Sequence, residues 1–113
     1  MNTKIEGVRG ESFAVGYLVK KGYKIIETNI KLMGIEVDII AESPDKAIVF
    51  CEVKARQTLN FGHPLEAITP AKQNRYRTFA KQYIVIKRLA NRDIRFDAIA
   101  LLGDEITHIE NAF

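Results

Sequence analysis

The chain has 113 residues, 47% of them hydrophobic and 27% charged, with a net charge of +3, the make-up of one globular domain spanning residues 1–113. No apolar run approaches the roughly 20 residues that cross a bilayer, and the start MNTKIEGVRGE carries no signal-peptide core. A single cysteine, Cys51, excludes an intramolecular disulfide and a cysteine-based zinc cluster, and together these features predict a cytoplasmic protein with no membrane contact.

Residues Arg9–Lys21 predict a helix, because Ala14, Val15 and Leu18 continue one stripe at helical spacing with Tyr17 beside it. Gly22 follows as a residue suited to the left-handed turn that ends a helix. Glu11 lies on the buried stripe, where a first-turn carboxylate complements the helix dipole. Tyr23–Leu32 reads as a strand, and Met33-Gly34 turns the chain into the next element.

Ile35–Ala41 and Ala47–Lys54 read as an antiparallel hairpin around Ser43-Pro44-Asp45. Side chains alternate between the faces of a strand. Ile35, Val37, Ile39, Ala47, Val49, Cys51 and Val53 are therefore expected to form an apolar face, with Cys51 a buried inert thiol. Glu36, Asp38 and Ile40 share the other face with Ile48, Phe50, Glu52 and Lys54. A loop over Ser43–Ala47 pairs Glu42 with Ile48 and Ile40 with Phe50. Continued, that register sets Asp38 opposite Glu52 and Glu36 opposite Lys54. Like charges directly opposite one another destabilise a sheet, so the two carboxylates call for a proton or a cation between them. A divalent metal whose oxygen shell is completed by water and a substrate phosphate meets that need, with Lys54 beside it. The plainer alternative is a solvent-facing hairpin in which Glu36 and Lys54 form a cross-strand pair.

Gln57–Thr69 reads as a loop, with His63 in it; no cysteine or second histidine stands nearby at ligand spacing, and His108 is likewise expected to be isolated. Thr69-Pro70 is a helix start, with Thr as N-cap and Pro at the first position. The helix is expected to reach about Lys87, burying Tyr76, Phe79, Ala80, Tyr83 and Ile84. Lys72 and Gln73 then fall at its N-terminal end on the core-facing side, where the helix start with Lys72 and Arg75 could hold an anion. Lys72–Arg92 contains seven basic residues and no acidic one, leaving the remainder with 10 basic and 14 acidic residues. Such a stripe suits phosphate contact; a solvated helix face is the equal alternative. Ile94–Leu102 and Ile106–Glu110 read as closing strands, and neither a Walker-type phosphate loop nor a dinucleotide fingerprint occurs. Helices interleaved with strands in this order predict an α/β fold with a mixed β-sheet and flanking helices.

An acid on one strand followed by Glu-x-Lys on the next, here Asp38 and Glu52-Val53-Lys54, resembles the core motif of the PD-(D/E)XK nuclease superfamily. More closely, the chain resembles the YraN-type family of small bacterial proteins, relatives of Holliday junction resolvases. Gly10-Glu11, Tyr17-Leu18, Gly22-Tyr23, Glu36-Val37-Asp38-Ile39-Ile40-Ala41, Glu52-Val53-Lys54-Ala55-Arg56, Phe61-Gly62, Lys72, Arg75 and Arg95-Phe96-Asp97 carry the match. Ile35 and Lys31 depart from it, where the family usually has Gly and Arg.

The resemblance implies a restriction-endonuclease-like, resolvase-like core and a metal-dependent endonuclease acting on DNA, including branched or recombination and repair intermediates. It implies Mg²⁺ or Mn²⁺ held by Asp38, Glu52 and the Val53 carbonyl, with Lys54 on the attacking water or the phosphorane oxygen and Glu11 orienting a second metal or its waters. Arg9, Arg56, Lys72, Gln73 and Arg75 are expected on neighbouring phosphates, and a homodimer is expected by analogy with resolvases. The rival expectations are a non-catalytic nucleic-acid-binding module on the same fold and an interaction protein with a structural ion-pair hairpin.

Overall fold

The computed structural model describes residues 3–57 and 64–113, the side chains of 3–9 and 64 excepted. His63 and much of the expected 57–69 loop therefore lie outside the described residues. The order is α1 (Thr3–Lys20), β1 (Lys24–Leu32), β2 (Ile35–Glu42), β3 (Ile48–Arg56), a short 3-10 turn (Pro64–Ala67), α2 (Pro70–Ile86), β4 (Ile94–Leu102) and β5 (Glu105–Ile109). The strands form one sheet in the order β1-β2-β3-β4-β5. Only β3 and β4 run parallel, as they must with α2 as the crossover between them. This is the mixed α/β architecture that the alternating pattern predicts.

Local chemistry explains the element ends. At the start of α2, the Thr69 side chain accepts the Lys72 amide at 3.2 Å and Pro70 takes the first turn. At the end of α1, Tyr23 N–H donates to Leu18 O at 3.0 Å and Gly22 N–H to Val19 O at 3.0 Å, around a Gly22 φ of 89°. That is the paired closure of a helix by a left-handed residue, for which glycine carries no side-chain penalty. α1 begins earlier than the apolar stripe indicates, at Thr3.

The helices cover opposite faces of the sheet. Ala14 and Leu18 of α1 pack with Ile39, Val49, Cys51 and Ile99, while Tyr76, Phe79, Ala80 and Tyr83 of α2 pack with Ile40, Ile48 and Phe50. Cys51 is fully buried, as expected. α1 lies very close to β3 at Gly10, where an added Cβ would meet the Ala55 Cβ at 2.9 Å.

The predicted hairpin register holds where the strands pair: Glu42 faces Ile48, Ala41 faces Val49, Ile40 faces Phe50 and Ile39 faces Cys51. It goes no further. Beyond Ile39 and Cys51 the two strands part, so the expected cross-strand pairs Asp38–Glu52 and Glu36–Lys54 do not form. Glu36 sits across from Lys31 of β1 instead. β3 keeps its whole length on β4, through Arg56↔Leu102. Freed from β3, the start of β2 packs Ile35 and Val37 into the α2 cluster beside Ile40, so the single apolar face expected for Ile35, Val37 and Ile39 is divided between the two sides.

Candidate functional site

The gap between the parted strands is the candidate site, and the Tyr76 hydroxyl of α2 reaches into it. That hydroxyl accepts the Asp38 amide at 3.3 Å, lies 3.3 Å from the Cys51 carbonyl oxygen, and donates to Glu52 Oε2. These are groups a longer β2–β3 ladder would have paired or left facing each other. Tyr76 is fully buried. Burial, then the Asp38 and Glu52 charges, push its phenol well above the usual range, so it stays a donor.

Asp38 and Glu52 come together although they are not ladder partners. Both line the cavity on the α2 side with Lys72 and Tyr76. Alternation puts Glu52 there with Phe50, but at Asp38 the regular alternation is broken, because its neighbour Val37 packs into the same α2 cluster. Asp38 Oδ2 accepts the Val53 amide at 2.8 Å. Glu52 is 2% exposed; its Oε1 holds an ion pair with Lys72 and lies 3.4 Å from Lys54 Nζ. Burial, then the Glu52 charge, with a contribution from Glu11, pushes the Asp38 carboxyl up to about 7 against the pull of the Val53 amide. The half-buried Glu11 thus reaches this site electrostatically from α1. Burial, then Lys72, hold Lys54 below the usual lysine range despite Glu52. Burial also works against Lys72, but its bond to Glu52 leaves it raised.

A cavity of about 490 Å³ opens beside this cluster, lined by Glu36, Asp38, Glu52, Lys72, Arg75 and Tyr76. Of the residues expected to matter, Asp38, Glu52, Lys54, Lys72 and Arg75 are brought to one place, while Glu11 makes itself felt there only through its charge on Asp38. Lys72 sits on Glu52 rather than standing free. Gln73 donates to Ile68 O at 3.3 Å and lines a different, smaller cavity with Leu65 and Phe113. Arg56 donates to its neighbour's carbonyl, Ala55 O, at 2.8 Å, and the Arg9 side chain lies outside the described residues. Tyr76 was legible as core but not as a site residue; its one signal is its place one helical turn after Lys72.

Among the described residues no three His, Cys, Asp or Glu side chains gather as a metal-binding group. The carboxylate pair is nonetheless a fit for a hard cation that keeps most of its shell as water and substrate oxygen, which is the habit of Mg²⁺ and Mn²⁺ rather than of Zn²⁺. The amide and carbonyl of one strand residue face the same neighbour. With its amide on Asp38, Val53 also turns its carbonyl towards the gap.

His108 has no cysteine or second histidine beside it as a ligand among the described residues, but it does have hydrogen-bond partners that sequence spacing did not show. His108 Nε2 lies 2.7 Å from Asp97 Oδ2 and its Nδ1 3.2 Å from the Tyr17 hydroxyl. Asp97 is fully buried and also takes both Arg95 nitrogens at 2.9 Å and the Asn111 amide at 3.1 Å. Burial pushes Asp97 up, but these bonds outweigh it and hold the carboxyl below the usual range. The cluster lies on the α1 side and ties β4, β5 and α1 together. A further cavity of about 530 Å³ lies between α1 and the β4–β5 hairpin, among Phe13, Tyr17, Leu101 and Ile106, away from Asp38 and Glu52.

Fold and site together define a mixed-sheet α/β domain with a half-buried and a buried carboxylate side by side, Asp38 and Glu52, where two strands part. The chain belongs to the uncharacterised protein family UPF0102, whose family model matches residues 10–101. It is similar to a UPF0102 protein of Clostridioides difficile, 45% identical over 115 residues with 100% of both chains covered. It is also similar to one of a Sulfurihydrogenibium species, 47% identical over 91% of this chain and 89% of the relative. A third, from Geobacter sulfurreducens, is 41% identical over 99% of this chain and 91% of the relative. No helix among the described residues is long and apolar enough to cross a membrane.

Proposed function

We propose that this chain is a metal-dependent endonuclease of the PD-(D/E)XK type that hydrolyses phosphodiester bonds in DNA, with branched and recombination or repair intermediates as the substrates to try first. The observation that carries the proposal is the pairing of half-buried Asp38 with buried Glu52 in a cleft, with Lys54 on Glu52 and the basic helix α2 forming the wall. A carboxyl pushed up to about 7 beside a second, buried carboxylate marks a place that gains from a cation.

Asp38 and Glu52 would hold Mg²⁺ or Mn²⁺, with the Val53 carbonyl as a backbone donor. Such an ion, when bound, lowers the pKa of water and stabilises charge on the phosphate during in-line displacement. Lys54 would place the attacking water or hold the developing phosphorane oxygen by hydrogen bonding from its ammonium. Glu11 would add negative charge at the cation from the α1 side. Arg75, exposed at the cavity wall, would grip a flanking phosphate, and the acid-free run from Lys72 to Arg92 would carry the duplex away from the cleft. Resolvase relatives work as dimers, and a homodimer here is part of the proposal.

A second reading, a non-catalytic nucleic-acid-binding module, draws on one observation: Glu52 is already neutralised by Lys72, Lys54 and Tyr76. Incubating the protein with linear, flapped and four-way DNA, with Mn²⁺ and with chelator, separates the two. Cleavage that needs Mn²⁺ and disappears in Asp38→Asn supports the nuclease. DNA binding without cleavage of any of the three supports the module.

A further inference from the structure

We infer that Lys72 is an exchangeable internal cation, which holds Glu52 until a divalent metal takes that carboxylate and then turns to a DNA phosphate in the adjoining cavity. The inference rests on the nuclease reading above and deepens it.

Glu52 is almost wholly buried, and a buried carboxylate left unpaired is costly. Both of its cationic partners, Lys72 and Lys54, converge on one oxygen, Oε1, while Oε2 is held by the Tyr76 hydroxyl. Asp38, its acidic neighbour, has no lysine or arginine at ion-pair distance among the described residues. The charge of both lysines is thus delivered through Glu52 Oε1, which is also the atom a metal shared with Asp38 would need. A divalent ion there would meet two ammonium groups at close range, and like charges so placed repel strongly in a poorly solvated site.

The two lysines differ in their freedom to leave. Lys54 is carried by β3, paired with Ala100 along the parallel ladder. Lys72 is carried by the first turn of α2 and is the more exposed of the two, at 30% against 22%. It lines the cavity together with Arg75. A phosphate entering that cavity would lie beside Arg75 and within the sweep of a four-carbon lysine stem. Moving Lys72 from Glu52 to phosphate conserves its charge pairing. It also makes metal and DNA binding mutually supportive, since either one relieves the competition the other faces.

The test compares wild type, Lys72→Met and Lys72→Arg. Mn²⁺ affinity is measured without DNA by electron paramagnetic resonance. Lys72→Met, which keeps the apolar stem and loses the charge, should bind Mn²⁺ at least roughly tenfold more tightly, above the roughly fivefold that one charge contact is worth in bulk water and below the roughly thousandfold it is worth near a protein surface. Lys72→Arg keeps the charge and can grip a carboxylate through two N–H groups. It should bind Mn²⁺ more weakly than wild type, and it carries the test alone if the methionine variant does not fold. In a second arm, duplex binding is titrated against salt with Ca²⁺ and with chelator. The steepening caused by Ca²⁺ should be larger in wild type than in Lys72→Met by about 0.9 in log–log slope, the value for one phosphate contact. Equal or weaker Mn²⁺ binding by Lys72→Met, Mn²⁺ binding by Lys72→Arg as tight as wild type, or equal Ca²⁺-induced slope changes would overturn the exchange and leave the nuclease reading standing. Absence of Mn²⁺ binding by all three proteins would overturn both.

Discussion

The Tyr76 hydroxyl, carried by α2, bonds the Glu52 carboxylate of β3 at the point where β3 loses its antiparallel partner. One phenol thus caps the end of a ladder and aims an acid. Tyr76→Phe leaves the Asp38 amide and Glu52 Oε2 without this partner inside the protein. It should cost about 1–3 kcal/mol, the scale for stranding buried polar groups, read as a lower urea midpoint with an unchanged slope. Because Glu52 loses its anchor, Mn²⁺ binding should also weaken. A Phe variant with undiminished Mn²⁺ affinity would make Tyr76 a packing residue only.

The raised Asp38 carboxyl gives the metal-free protein a distinctive pH profile. Burial, then the Glu52 charge, pushes the Asp38 carboxyl from the usual 3.8 up to about 7 in the fold. Between those values the native state holds more protons than the unfolded one, so unfolding free energy falls as pH rises. In chelator, the melting temperature of wild type should therefore drop from about pH 4 to about pH 7 relative to Asp38→Asn. Mn²⁺ competes with the same proton, so wild-type affinity should climb over that window and level off above it. Parallel melting curves for the two proteins would remove Asp38 as the titrating group.

Lys54 separates chemistry from architecture. Lys54→Ala should abolish cleavage without weakening Mn²⁺ binding, since a protonated lysine has no lone pair for a metal and its charge beside Glu52 only opposes the ion. DNA affinity should fall only slightly. Lys54 is half-buried and Lys72 remains on Glu52, so the stability cost should stay near 1 kcal/mol. Cleavage at the wild-type rate by Lys54→Ala would end its catalytic assignment.

Arg75 stands at the cavity wall on a helix without acidic residues. Arg75→Ala should weaken binding to all duplexes alike and shallow the salt slope by roughly 0.9, the share of one phosphate. An unchanged slope in a fluorescence titration would take Arg75 off the phosphate path.

The Asp97 cluster should behave as structure. Asp97→Asn strips a buried carboxylate from Arg95 and His108, a change that typically costs 3–5 kcal/mol. The melting temperature should fall sharply, while the variant, where still folded, keeps wild-type Mn²⁺ affinity. A loss of Mn²⁺ affinity without a loss of stability would connect this cluster to the opposite face.

Local chemistry was readable wherever neighbours in sequence decide the outcome. The Thr69 cap, the Gly22 stop, the buried stripe of α2 and the register from Glu42↔Ile48 to Ile40↔Phe50 all follow from short-range spacing. What sequence spacing could not show depends on side chains brought in from other elements. The β2–β3 ladder was expected to run on to Asp38 because nothing in the hairpin itself announces that a tyrosine from α2 will end it. Lys72 looked like a phosphate grip because its Glu52 partner lies on another element. His108 looked solitary because Asp97 and Tyr17 approach it from β4 and α1. Asp38, Glu52 and Lys54 stand out in the sequence all the same, since carboxylates inside apolar strands are conspicuous before any fold is known, and the structure places them near one another.

Gly10 works as a missing shim. With only a hydrogen facing the Ala55 Cβ, at a spot where a methyl would sit 2.9 Å away, α1 settles onto the sheet as close as two backbones allow. Ala55 is fixed to β3 and cannot swing aside, so any larger residue would tip the helix about its packed Ala14 and Leu18. Glu11 is the next residue along and would ride outward with it. A lone methyl, bearing no charge and touching no ligand, would thereby detune an acid on another strand. In Gly10→Ala the Asp38 carboxyl should titrate at a lower pH, as followed by carboxyl carbon NMR, and an unmoved titration would show that the helix absorbs the methyl without tilting.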